Sequence, residues 1–104
     1  MSEEVSLDAV YIPSEDVVAR TIEGEIIIIP LVTGMGDLED ELYSLNETGR
    51  SIWEKLDGSK SLKDVVSELS LEFHAIPEGM IEADVMGFVK ELLRRRMLAE
   101  SARG

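Results

Sequence analysis

The chain has 104 residues and no cysteine. Disulfides, thiolate metal sites and a cysteine nucleophile are therefore excluded, and a reducing compartment is expected. Histidine occurs once, at His74. No second imidazole or thiolate can share a metal with it, and no nucleophile-base-acid triad can be built around it. A lone histidine near a helix end is ordinarily a cap or a surface residue. Positive charge is scarce: 10 Lys and Arg stand against 22 Asp and Glu, a formal net charge of −12. Such a surface repels phosphate backbones, which argues against nucleic acid as a partner, and it steers partners that carry positive charge. Long apolar runs are also missing, and no basic-then-apolar leader opens the sequence. A soluble, cytoplasmic protein without a membrane partner is expected.

What is present suffices for one core. The hydrophobic fraction of 44 % supports folding over disorder. A single domain of this length buries roughly two-thirds of its unfolded surface. Only three prolines punctuate the chain, at Pro13, Pro30 and Pro77. Residues 1–16 are mixed and acidic with Pro13 inside them, and read as a loose arm holding at most a short extended piece at Val10-Tyr11-Ile12. Val17 to Ile22 is rich in β-branched residues and reads as a strand. Glu23-Gly24 is a tight turn, and Glu25-Ile26-Ile27-Ile28-Ile29 returns as a second strand. The unbroken isoleucines imply burial on both faces, or one face packed and the other covered by a partner. Pro30 cannot donate to a ladder, so that strand ends there or lies at an edge. Residues 32–40 form an acidic, glycine-containing loop, and Glu41-Leu42-Tyr43-Ser44-Leu45 reads as a third short strand. The connections are too short for crossover helices, so the strands form an antiparallel meander.

The second half has helical spacing. Asn46 caps a first helix, Glu47 sits in its first turn, and Ile52, Trp53 and Leu56 share one face before Asp57-Gly58 stops it. Ser61-Leu62-Lys63-Asp64 starts a second helix, with Leu62, Val65, Val66, Leu69 and Phe73 as its apolar stripe. Ile76-Pro77 breaks it. The third and longest helix runs from 78 to about 97, with Ile81, Val85, Phe88, Val89, Leu92 and Leu93 on its apolar face. Acids (Glu78, Glu82, Asp84) lie early and Arg94, Arg95 and Arg96 late, the order the helix dipole prefers. Residues 99–104 are expected to fray. The apolar face of the third helix is wider than one stripe, which leaves two readings open: part of it lines a groove, or the helix is buried between two layers.

No catalytic constellation emerges. Asp37, Glu39, Asp40 and Glu41 lack the ligand spacing of a calcium loop. Gly34-Met35-Gly36 is too short to cradle a phosphate, and no Lys-Ser or Lys-Thr follows it. No metal site and no cofactor is expected. The chain reads as an α+β binding module: an N-terminal three-stranded antiparallel sheet followed by three helices, an order that resembles a winged helix-turn-helix arrangement.

The stretch Leu45-Asn46-Glu47-Thr48-Gly49-Arg50-Ser51-Ile52-Trp53-Glu54-Lys55-Leu56-Asp57-Gly58 resembles the PqqD family, the coenzyme PQQ synthesis protein D type of peptide-recognition domain. The family pattern is Leu-Asn, a polar pair, an apolar-Trp helix and Leu-Asp-Gly. Ser61-Leu62-Lys63-Asp64-Val65-Val66, Glu72-Phe73, Pro77-Glu78 and Phe88-Val89-Lys90-Glu91-Leu92-Leu93 fit the same pattern in order. The resemblance covers 17–98 as a domain, leaving 1–16 as the arm and 99–104 as the tail. It implies a non-catalytic chaperone or adaptor. Such domains bind the leader segment of a ribosomally made precursor peptide, and present it to a modifying enzyme, often of the radical-SAM class. In the family the leader adds as a strand beside the third strand, over the last helix. Carried onto this chain, the implied peptide-binding residues are Glu41, Leu42, Tyr43 and Ser44 on the edge strand, and Val85, Phe88, Val89 and Leu92 on the helix. The long acidic 32–40 segment departs from the family pattern and favours a relative serving a pathway other than PQQ. The rival expectations are a homodimer or larger assembly formed through the edge strands or the arm, and a winged-helix DNA binder, against which the net charge already speaks.

Overall fold

The structure is a computed structural model and describes residues 5–31 and 42–101. Its elements are β1 (Tyr11–Pro13), β2 (Val17–Ile22), β3 (Glu25–Pro30), β4 (Tyr43–Ser44), α1 (Glu47–Lys55), α2 (Leu62–Glu72), α3 (Glu78–Arg94) and β5 (Leu98–Glu100). β2, β3 and β4 form an antiparallel sheet in that order, and β1 pairs antiparallel with β5. An antiparallel three-stranded sheet ahead of three helices is the α+β arrangement the sequence predicts.

The β2–β3 hairpin closes through Glu23 (φ 53°) and Gly24 (φ 85°). Two successive left-handed residues make the primed turn whose twist matches that of the strands. Arg50 Nη1 donates to the Gly24 carbonyl at 2.7 Å, which ties the turn to α1. The isoleucine run alternates between the two faces. Ile26 and Ile28 are buried against the helices, while Ile27 and Ile29 are only half-buried on the outer face. Cross-strand partners share a face, so Val18 opposite Ile29 extends that outer surface. Of the two alternatives the sequence left open, burial on both faces is excluded.

The first two helices start where their polar caps predict. Asn46 Oδ1 accepts from Gly49 N at 2.7 Å, and Ser61 Oγ accepts from Asp64 N at 3.3 Å. Pro77 stands as the N-cap of α3 without a side-chain bond. The stripes of the three helices meet in one core in which Ile28, Leu62, Val65, Val85, Val89 and Leu92 are fully buried.

Both ends of the chain correct the sequence expectation. The loose arm expected over 1–16 is in part pinned: Leu7 and Ala9 carbonyls accept from Lys63 N and Leu62 N, two first-turn donors of α2 that have no partner within the helix. Tyr11 is buried, and Tyr11–Pro13 pairs with Leu98–Glu100. Ala99 and Glu100 are thus a strand where fraying was expected. The cause lies at the end of α3, which stops at Arg94 and not near 97. Arg96 takes a left-handed φ of 63°, Arg96 N donates to Leu93 O, and Met97 N donates to Leu92 O at 2.8 Å. This is a Schellman closure, with buried Met97 against buried Leu92. It turns the chain back along β1.

Candidate functional site

β4 lies at one edge of its sheet, with Ser44 opposite Ile27 and Tyr43 opposite Ile28. Leu45 N donates to the Ile26 carbonyl at 2.9 Å, so the backbone of residue 45 faces β3. Hydrogen-bonding direction alternates along a strand, which turns the N–H and C=O of Ser44 away from β3 to the open side. No described residue pairs with that side. Leu42, just ahead of the strand, is 59 % exposed.

α3 flanks this edge. At the Tyr43 end, the Arg95 guanidinium lies 4.8 Å from the centre of the Tyr43 ring, a cation–π contact. Glu91 Oε2 accepts from Arg94 Nη2 at 2.7 Å and from Arg95 Nε at 2.6 Å. Those two hydrogen bonds, that of Arg94 first, hold the Glu91 carboxyl below its ordinary value. At the Asn46 end the edge opens into a cleft between α1 and α3, lined by Asn46, Thr48, Gly49, Ile52, Asp84 and Phe88. It encloses about 490 Å³, part of it open to solvent. Thr48, Ile52 and Asp84 also border a smaller, mainly apolar pocket that runs toward Phe73 and Ile76. A Cβ on Gly49 would stand 3.2 Å from Phe88 Cε1 and 3.2 Å from Asn46 Oδ1, so glycine here lets α1 close on the Phe88 ring.

The residues expected to bind peptide divide. Glu41 lies outside the described residues, as do Asp37, Glu39 and Asp40. Leu42, Tyr43 and Ser44 sit along the open edge. Val85, Val89 and Leu92 are each 0 % exposed, which corrects their assignment to a groove wall. They recur at four and three residues along the stripe of α3 that faces the core. Phe88, rotated about 100° from Val89, is half-buried and reaches the cleft. Sequence spacing could not divide a wide apolar face between core and cleft. It also passed over Thr48, Gly49 and Asp84, because a first-turn threonine, a helix glycine and an early acid all have ordinary helical explanations. His74 is exposed beyond the end of α2, and among the described residues no group of three His, Asp or Glu could hold a metal. No described helix is long and apolar enough to cross a membrane.

The sequence profile of the family described as Coenzyme PQQ synthesis protein D (PqqD) matches residues 25–98. The chain belongs to the PqqD family. The match begins at β3 and ends at the first residue of β5. Two solved structures share this PqqD fold. One is TbiB1 in complex with the TbiA(beta) leader peptide, with a TM-score of 0.69 and 22 % identity over 84 % of this chain and 93 % of that one. The other is the solution structure of the PqqD truncation of Methylobacterium extorquens PqqCD, a functional stand-alone RiPP recognition element. It has a TM-score of 0.69 and 17 % identity over 93 % of this chain and 96 % of that one. Comparison with curated proteins gives no match.

Proposed function

We propose that this PqqD-family chain is a non-catalytic adaptor. It binds the leader segment of a ribosomally synthesised precursor peptide by strand addition, and presents it to a modifying enzyme of the radical-SAM or another class. The observation that carries this is the open β4 edge. Ser44 offers an outward N–H and C=O, and α3 and the Phe88 cleft lie alongside to receive side chains. The PqqD family and the leader-peptide complex of a protein with this fold support it. Backbone pairing supplies affinity for an extended peptide, and the cleft supplies selectivity.

Two substitutions test it. Ser44→Pro removes the outward donor and leaves the bonds to β3 intact, so it should weaken binding of a synthetic leader about tenfold or more while the fold survives. Phe88→Ala removes the ring that walls the cleft and should do the same. Val89→Asp does not serve, because Val89 is buried and the protein would unfold. Isothermal titration against leader segments of candidate precursors, with backbone NMR mapping, reads both. Unchanged affinity in a folded Ser44→Pro protein rules out strand addition at β4.

Self-association is a second reading, favoured by the outer face of the hairpin. Val18 and Ile22 are 36 % and 49 % exposed there, beside half-buried Ile27 and Ile29. Light scattering across concentration tests it.

A further inference from the structure

We infer that Asp84 and the cleft it borders form a selectivity pocket for a lysine or arginine side chain on the N-terminal flank of the docked peptide strand. This rests on the adaptor reading and adds the chemistry of the residue that the peptide must carry.

Direction comes first. β4 runs from Tyr43 toward Asn46, and a strand pairing antiparallel to it begins at the Asn46 end. That end opens into the cleft. The residues that start the docked strand, or immediately precede it, are those that reach Asp84.

Charge comes next. Glu68, Glu72 and Glu91 are all ion-paired. The exposed Asp84 carboxylate has no hydrogen bond or ion pair with any described residue. An apolar side chain filling the cleft would take water from that carboxylate and return nothing. A lysine or arginine would lay its methylene stem against Ile52 and the Phe88 ring and bring its charge to Asp84. The amino end of α1 also opens here and by itself favours an anion. Its pull is reduced, since Asn46 already takes the Gly49 N–H and Glu47 lies in the first turn. The full charge of Asp84 prevails over that remainder, in a chain whose net charge is −12.

The experiment selects binders from a random-peptide library displayed against the wild-type protein. NMR shifts at Ser44 then identify the peptides docked on β4. The expected winners carry Lys or Arg at one fixed position toward their N-terminal end. Asp84→Asn should weaken them about five-fold. Norleucine at the cationic position should weaken them equally, and the two changes together should cost no more than either alone. Asp84→Lys should turn the selected preference to Asp or Glu. Glu78→Gln, which removes the same charge from the exposed start of α3, should leave binding unchanged. Winners that dock on Ser44 with no cation preference, or that ignore Asp84→Asn, overturn the pocket and leave the adaptor standing. A Glu78→Gln loss equal to that of Asp84→Asn overturns it in favour of diffuse charge. If no library peptide shifts Ser44, adaptor and pocket both fall.

Discussion

Gly58 shows what the Leu-Asp-Gly block is for. Its φ is 86°, and a Cβ there would stand 2.7 Å from Ile12 Cγ2. The residue is required both by its backbone conformation and by the close passage of β1. Asp57 sets the same bend: its Oδ1 accepts from Ser59 Oγ at 2.6 Å and Ser59 N at 3.0 Å, and these bonds lower its carboxyl from the ordinary value. Gly58→Ala should therefore destabilise the protein by about 2 kcal/mol, from the left-handed backbone plus the displaced Ile12. In a domain of this size that lowers the melting temperature by about 10 °C. Thermal unfolding followed by circular dichroism measures it; a change under about 2 °C would mean that the turn relaxes out of the left-handed conformation and β1 yields with it. The residues that carry the family pattern thus frame the two ends of α1, Asn46 by capping and Gly58 by turning. The open β4 edge lies just ahead of the frame.

At the scale of elements, what was legible in the sequence had a local cause. The hairpin announced itself through Glu23-Gly24, the helix starts through Asn46, Ser61 and Pro77, and the stripes through their spacing. β5 had no such signal. Its existence depends on a Schellman closure at Arg96, where a glycine would have marked the turn, and on β1 lying some 85 residues earlier in sequence. The division of α3 between core and cleft was hidden for the same kind of reason: Phe88 and Val89 are equally apolar, and only packing against α1 separates them. The end of α3 also carries a pH dependence. Glu91 titrates lower in the fold than its ordinary value of 4.5, because Arg94 and Arg95 donate to it. Its stabilisation is complete above the unfolded value and is lost as pH falls through the lower folded one. Glu91→Gln should melt below the wild type at neutral pH, and the gap should close on acidification under pH 4.5. Parallel melting curves across pH decide it. A gap independent of pH would show that Glu91 supports the helix end through something other than its charge.

The molecule as a whole is small compared with the reach of its own field at low salt. Its radius of gyration is 13.6 Å, whereas the Debye length is about 30 Å at 0.01 M and about 10 Å at 0.1 M ionic strength. At the lower salt screening extends over more than the radius of the domain, and the 10 basic residues offset fewer than half of the 22 acidic ones. The compact state therefore carries a repulsion that unfolding relieves. Salt should raise the melting temperature by several degrees between those two ionic strengths, the size of shift that about 1 kcal/mol produces in a domain this long. The same screening should act in the opposite direction on a cationic leader, slowing its association and weakening its affinity as salt rises. Melting and titration series run in the same buffers read both trends. Opposed slopes mean that one charge excess both loosens the free domain and draws in its peptide. A melting temperature that is flat with salt would show that the carboxylates are too widely spread to strain the fold. An affinity that is flat with salt would confine the peptide's recognition to backbone pairing and apolar contact.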